Sequence, residues 1–487
     1  MAIGYRYKDG MGVEKDCHEA LKYYEYAALI TLRELEPFGF LFHVDNLKLE
    51  EMDRLMESGS RIFRDADQDV LDYYLHLTET GDHNAHTVLG TLHLSGGLYV
   101  DQDLEKAAYH FSKAAEHEDP TALSVLSFMH ALGNPLPFNE RLAFDLAQRA
   151  VSASKGSMEG VPFAALGFMH WQGIGTKQNI REAENYFNKA SGKNNVDSLY
   201  YLGMIKLREN PFEERVKKLK GDFSILRPSR VPNLRSNNKN GESEQAQNLL
   251  AVAAANGHPS AAFMLAHINK IGLGMGRPNC QKAVALFKTV AENGPWMRDM
   301  NTARRSYLMG RYDESLRLYS TLAYVGVESA QANVGHLLIG KRHCMDMSEK
   351  KCEHRGLGMF RRSSNQGNVQ SNIKIGDYHF YKEPKSEDEE EWLEERDENY
   401  KKAATFYTIA ADDNFHQAIF NLGVLHHFGL GVPRDPHLAK RYYDQAVTLY
   451  PDAKLPASMM LSFLQIQSQA GYIFGFRIFY FCFTFCF

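Results

Sequence analysis

At 487 residues the chain has room for about three ordinary domains. Its 44% hydrophobic content, with 25 Tyr and 29 Phe, excludes intrinsic disorder. A net charge of −5 gives no global signal for nucleic acid or an anionic membrane surface.

One block recurs along the chain. It reads GYRYKDGMGVEKD from Gly4 to Asp16, GFMHWQGIGTKQN from Gly167 to Asn179, and GVLHHFGLGVPRD from Gly423 to Asp435. Looser copies run from Gly90 to Asp103 and from Ala266 to Asn279. The residues after each terminal Asp or Asn are equally regular. A small residue stands at the fourth position (Ala20, Ala107, Ala183, Ala283, Ala439). Bulky residues stand at the seventh and eighth (Tyr23 and Tyr24, His110 and Phe111, Tyr186 and Phe187, Leu286 and Phe287, Tyr442 and Tyr443). A second small residue closes the set (Ala27, Ala114, Ala190, Ala291, Ala446). This spacing traces one face of an α-helix.

The turn chemistry agrees. Gly10 and Gly12, Gly173 and Gly175, and Gly429 and Gly431 end the preceding helix, where glycine takes the left-handed conformation without cost. Asp16, Asn179 and Asp435 are N-caps. Asp16 with Glu19, and Asn179 with Glu182, have capping-box spacing. Pro436 takes the first helical position after Asp435. Mid-helix glycines in the Leu-Gly pairs (Gly90, Gly167, Gly203, Gly423) imply close helix approach, which offsets about 1 kcal/mol of lost helix propensity at each. A helix pair of this size cannot bury its apolar face alone. The expected fold class is therefore all-α: a right-handed α-solenoid of stacked helix-turn-helix repeats.

In chain order, residues 1–39 read as a partial repeat lacking most of its first helix, as in a truncated fragment. Residues 40–84 read as an irregular helical unit, 85–207 as repeats, and 208–243 as a flexible basic insertion with Pro211, Pro228 and Pro232. Repeats resume over 244–295. A middle group comes next at 296–338, then a repeat with a loop insertion at 339–368. C-terminal repeats span 369–453, with an acidic insertion at 384–398 expected as a solvated loop. Residues 454–487 are expected as an apolar tail. Its end, from Ala470, is at the short limit for a membrane span and contains Arg477; a span and an aberrant end are both open readings.

The six cysteines (17, 280, 344, 352, 482 and 486) include no CxxC pair, so no disulfide framework or zinc site is readable from them. His343-Cys344 and Cys352-x-His354 read first as polar loop residues, with a Cys344–Cys352 disulfide or a metal cluster as alternatives. His83, His86 and His93 read as surface histidines before metal ligands. The GLGMG run from Gly272 to Gly276 comes after a helix rather than a strand, so it is a repeat turn and not a dinucleotide loop. No nucleophile elbow, catalytic carboxylate pair or Walker-type loop is visible. No signal-length apolar core heads the chain, and no Asn-x-Ser/Thr acceptor occurs.

The Leu-Gly, the Gly-x-Gly-Val turn, the Asp cap and the Ala-x-x-Tyr-Tyr-x-x-Ala helix resemble Sel-1-like repeats, glycine-turn relatives of tetratricopeptide repeats. IGDYHFY (375–381), FNLG (420–423) and HLAKRYYD (437–444) are similar to the last repeats of the Sel-1 adaptors of HRD-type endoplasmic-reticulum ubiquitin ligases. SYLMGRY (306–312) and the stretch from Tyr319 to Gly326 resemble their middle repeats.

The resemblance implies a non-enzymatic adaptor for degradation of misfolded proteins, in or on the endoplasmic reticulum, with no cofactor, nucleic acid or small-molecule substrate. Its implied partners are the HRD-type membrane ubiquitin ligase, lectins of that compartment, misfolded glycoproteins and a second copy of the chain. It puts the ligase side at Tyr378, His379, Tyr381, His426, His427, Phe428, Tyr442 and Tyr443. It puts self-association at Tyr307, Leu308, Gly310, Tyr312, Leu316 and Tyr319. The missing leader and acceptor sites favour the rival reading, a soluble cytosolic repeat scaffold.

Overall fold

A computed structural model of the chain describes residues 1–35, 48–49, 52–53, 66–96, 100, 102–154, 160–207, 242–273, 277–294, 296–341, 343–384 and 388–470. It divides into two compact units, Met1–Val327 and Glu328–Phe487. Every regular element among the described residues is helical.

Unit 1 contains α1 (Ala2–Asp9), α2 (Cys17–Leu35), α3 (Ala66–Glu79), α4 (His83–Ser95), α5 (Leu104–Ala115), α6 (Pro120–Leu132), α7 (Glu140–Ala153) and α8 (Val161–Gln172). It continues with α9 (Ile180–Ser191), α10 (Val196–Leu207), α11 (Glu242–Ala255), α12 (Pro259–Ile271), α13 (Cys280–Glu292), α14 (Met297–Leu308) and α15 (Tyr312–Val325). Unit 2 contains α16 (Glu328–Gly335), running on as a π-turn over His336–Gly340, then α17 (Glu349–Asn365), α18 (Val369–Tyr381) and α19 (Glu389–Asp412). It ends with α20 (His416–Phe428), α21 (Pro436–Leu449) and α22 (Lys454–Ala470).

Each repeat is built by the same local steps. Gly10, Gly173 and Gly429 stand at helix C-caps with φ of 74°, 66° and 72°; Gly12, Gly175 and Gly431 come next with φ of 72°, 65° and 66°. The chain then extends into the cap. Asp16 accepts from the Glu19 amide, Asn179 from that of Glu182 and Asp435 from that of Leu438. The capping box is corrected: its reverse bond is replaced. The cap's own N–H donates instead to a last-turn carbonyl of the preceding helix, Asp16 to Tyr7, Asn179 to His170 and Asp435 to His426, at 2.9–3.0 Å. The tight turn delivers that carbonyl, so no donor is left for the Glu, and Glu19 accepts from Lys22.

The helical face read from the sequence is the buried one. Ala20, Ala107, Ala183, Ala283 and Ala439 are all wholly buried. Of the two bulky residues, the second goes inside: Tyr24, Phe111, Phe187, Phe287 and Tyr443 have no exposed surface, whereas Tyr23 is 38% exposed. The mid-helix glycines explain why these rings fit. A Cβ on Gly90 would stand 2.9 Å from Phe111, on Gly167 2.8 Å from Phe187, and on Gly423 2.7 Å from Tyr443. Gly4, Gly335 and Gly376 meet Tyr24, Phe360 and Tyr407 in the same way. In unit 1 the rings of Phe128, Phe168, Trp171, Phe187 and Tyr201 run on through α6, α8, α9 and α10 at centroid distances of 5.0–6.4 Å.

One further expectation is corrected and two are sharpened. The acidic stretch is not a loop throughout: α19 starts at Glu389, with Asp388 capping the Glu390 and Glu391 amides at 3.0 and 3.1 Å. Carboxylates suit a helix N-terminus, which makes this insertion helical. The apolar tail expected from residue 454 begins as a helix, in which α22 packs Ala457, Met460, Leu461 and Leu464 against Ile419, Phe420, Val424 and Tyr443. Four cysteines pair: Cys344 with Cys352, one of the alternatives left open, and Cys17 with Cys280, which nothing in the spacing indicated, across 263 residues of chain. The basic insertion over 208–241, most of the 40–65 segment and the apolar end from 471 lie outside the described residues. Among the described residues no helix is long and apolar enough to cross a membrane.

Candidate partner-binding site

Unit 2 brings the expected ligase-side residues onto α18, α20 and α21 and separates them into two depths. Tyr381, at the end of α18, is 57% exposed. Tyr378, His426, Phe428 and Tyr442 are half-buried. The Tyr378 hydroxyl donates to Glu353 at 3.1 Å, and burial with that carboxylate pushes its pKa up to about 12. His426 stacks on Tyr442 at 5.7 Å and contacts the Pro433 carbonyl through Nδ1 at 3.2 Å, tying helix to turn.

Three of the eight residues are interior. Tyr443 has no exposed surface, and His379 lies buried against Phe406. Burial lowers the His379 pKa to about 4, assisted by Lys402, Lys382 and Arg361. His427 is also fully buried. Its Nε2 meets Gln467 Oε1 at 3.2 Å and its Nδ1 meets the Tyr443 hydroxyl at 3.2 Å. Gln467 Oε1 also accepts from Arg434 Nη2, so it is the acceptor and His427 carries its proton on Nε2. Nδ1 then accepts from Tyr443. Both ring nitrogens of a neutral imidazole are satisfied, and burial lowers the His427 pKa to about 4.

Sequence reasoning missed α22, Gln467 and Phe463, which cover this site. The three-to-four-residue spacing of Ala457, Met460, Leu461 and Leu464 was the available signal. It also missed the Trp392–Arg396–Tyr400 stack at the start of α19. There the guanidinium lies 4.7 Å over Trp392 and Nε donates to the Tyr400 hydroxyl at 2.9 Å. Beside it Leu393 is 56% exposed. The α18–α19 corner therefore presents aromatic and apolar surface among carboxylates.

In unit 1, Tyr307, Leu316 and Tyr319 of the expected self-association set are buried within the chain. The Tyr307 hydroxyl lies 2.8 and 2.9 Å from the two Asp53 carboxylate oxygens, and Tyr312 packs on its ring at 5.3 Å. Leu308 and Tyr312 are half-buried. Gly310 turns between α14 and α15 with φ of 74° and open space beside it; Met309 and Tyr324 are 58% and 65% exposed.

The histidines flagged on α4 meet partners on α5 and just past its end. His86 and His110 approach Nδ1 to Nδ1 at 3.0 Å, and His83 stacks on His117. Burial and the neighbouring imidazoles lower the His110 pKa to about 4. Among the described residues no three His, Cys, Asp or Glu side chains form a metal-binding group.

The Sel1 repeat profile matches residues 1–29, 83–119, 120–154, 164–195, 259–295, 394–415 and 416–449, the stretches that carry the glycine turns and caps described above. The chain carries Sel1 repeats. A rat relative, protein sel-1 homolog 2, is 33% identical over 466 residues, 96% of this Sel1-repeat chain and 61% of the relative's own length. The mouse counterpart has the same identity and coverage. The Arabidopsis thaliana ERAD-associated E3 ubiquitin-protein ligase component HRD3A is 35% identical over 183 residues, 36% of this chain and 25% of its own. The chain thus spans 61% of the rat and mouse relatives it matches. An Escherichia coli protective antigen displaying an SLR fold aligns with 95% of the chain and 86% of its own at 20% identity and a TM-score of 0.29, too loose a likeness to add to the argument.

Proposed function

We propose that this Sel1-repeat chain is a non-catalytic adaptor of an HRD-type ubiquitin ligase in endoplasmic-reticulum-associated degradation. The observation that carries the reading is the 33% identity to sel-1 homolog 2 along 96% of the chain, together with the 35% identity to HRD3A. Two disulfides fit an oxidising compartment, in which such bonds form and persist. Stacked helix pairs expose long concave surfaces suited to holding proteins rather than transforming small molecules.

In this reading the ligase contacts the α18–α19 corner and the α20–α21 face through Tyr381, Tyr378, His426, Phe428 and Tyr442. The buried His379, His427 and Tyr443 hold that surface in shape. Misfolded glycoproteins and lectins dock elsewhere on the repeats, and a second copy meets the α14–α15 turn through Leu308, Gly310 and Tyr312. The experiment is a crosslinked pull-down of the tagged chain from microsomes. The ligase is expected in the eluate, and Tyr381→Ala is expected to reduce its yield while leaving the fold intact. Clean absence of the ligase, or a chain digested by protease before detergent opens the microsomes, overturns the reading in favour of a cytosolic scaffold.

A further inference from the structure

In unit 1 most helix pairs pack on the pair next to them in sequence, but α2 packs along α13. The register is fixed at three points. At one end Cys17 is bonded to Cys280, with Cα atoms 6.2 Å apart. Along the helix, Lys270 Nζ at the end of α12 reaches both carboxylate oxygens of Glu25 at 2.9 and 2.7 Å. At the far end the Thr31 hydroxyl lies against Gly294, 2.8 Å from where a Cβ would stand. The same spacing separates Cys17 from Thr31 and Cys280 from Gly294, so α2 and α13 run side by side, parallel and in register.

The position of the cysteines within the repeat is informative. Each is the first helical residue after the cap: Cys17 comes after Asp16 and Cys280 after Asn279. The equivalent position holds Leu104, Glu140, Ile180 and Pro436 in the other capped repeats. Cysteine thus stands there in the two helices that lie against each other. Both sulfurs sit at helix N-termini, where the helix dipole favours a thiolate, and both residues are only half-buried, so a small disulfide can reach them.

We propose that Cys17–Cys280 is a redox clasp that controls whether the N-terminal helix pair stays docked along α13. Closure is thiol–disulfide exchange. The Cys17 thiolate attacks glutathione disulfide and expels one glutathione thiolate. The Cys280 thiolate then attacks the mixed disulfide at the Cys17 sulfur and expels the second. The two protons lost by the cysteines go to the two glutathione thiolates; the cysteines are oxidised and glutathione disulfide is reduced. Opening runs the same steps backwards. The clasp is independent of the ligase reading, since it concerns contacts within unit 1.

The test uses the full chain. Peptide mapping without reductant is expected to find the Cys17 peptide joined to the Cys280 peptide. Reduction by glutathione is expected to speed amide exchange over 17–35 and 280–292 by about tenfold or more, because the tether holding the two helices at high effective concentration is gone. Exchange over 120–150 is expected to stay unchanged. Cys17→Ser and Cys280→Ser should each reproduce this without reductant, and Cys344→Ser should not. If the serine variants do not fold, reduction of the wild-type chain still decides. Alkylation of both Cys17 and Cys280 in the folded, unreduced protein overturns the proposal. So does a cross-link whose reduction leaves α2 exchange unchanged.

Discussion

Replacing Gly423 by alanine sets two effects of known size against each other. In an ordinary helix interior the change stabilises by about 1 kcal/mol, because alanine restricts the unfolded chain and shields the backbone. At position 423 the new methyl group would stand 2.7 Å from Cε1 and 2.9 Å from Cδ1 of Tyr443. Carbon atoms prefer about 3.5–4.0 Å, so something must move by nearly an ångström. The obstacle is a ring with no exposed surface, held by Phe420 on one side and by its bond to His427 on the other. Overpacking of that kind costs about 1–3 kcal/mol, which outweighs the propensity gain. Gly423→Ala should therefore destabilise unit 2 by about 1 kcal/mol net. Gly358→Ala is the internal control. It lies in α17 with nothing within 4 Å of its would-be Cβ, and should stabilise by about 0.5–1 kcal/mol. Denaturant unfolding of the full chain, followed by circular dichroism, should move the unit 2 midpoint down for the first and up for the second. A Gly423→Ala chain that gains stability as Gly358→Ala does would refute the close-approach argument for all the repeat glycines.

Three other outcomes are expected from the geometry. His379 and His427 are held neutral by burial, with pKa lowered to about 4. Their unfolded forms take up protons near pH 6.5, so the stability they contribute is complete above that value and is lost as pH falls toward 4. Unfolding of unit 2 across pH 7 to 5 should show a falling midpoint, and His427→Gln should flatten the slope. Asn179→Ala removes the acceptor for the Glu182 amide and should cost about 1 kcal/mol by the same unfolding assay, with Asn179→Asp tolerated. Ser363 donates to Glu328 at 2.6 Å and accepts from Asn368 and Ser371, both at 2.9 Å. Ser363→Ala takes one donor from the half-buried Glu328 carboxylate, which keeps its bond from Asn368, and takes from the buried Ser371 hydroxyl its bond to Ser363. It should cost about 1–3 kcal/mol, and a neutral result would mean the network reorganises freely.

The sequence alone determined whatever is written in local chemistry. The turns come from glycine's freedom at positive φ, the helix starts from Asp and Asn side chains, and the buried stripe from 3.6-residue periodicity. All three act over a few residues, and the structure returns them in nearly every repeat. The sequence also showed that Gly423 and its equivalents must have a close neighbour. It could not say which of two adjacent rings that neighbour is, because Tyr442 and Tyr443 differ by one helical step and only the partner helix selects between them.

Tertiary structure decided the rest. The resemblance put His427 and Tyr443 on the ligase side, but Tyr443 packs on Gly423 and α22 brings Gln467 to His427, and an amphipathic helix does not announce which groove it will fill. The acidic run was read from its charge as solvent-loving loop, but charge is also what a helix N-terminus attracts. The pairing of Cys17 with Cys280 needed two segments far apart in the chain to be packed side by side. Their shared place in the repeat was visible from the start; that α2 would lie along α13 was not, because the energy that aligns them is spread over a whole helix face.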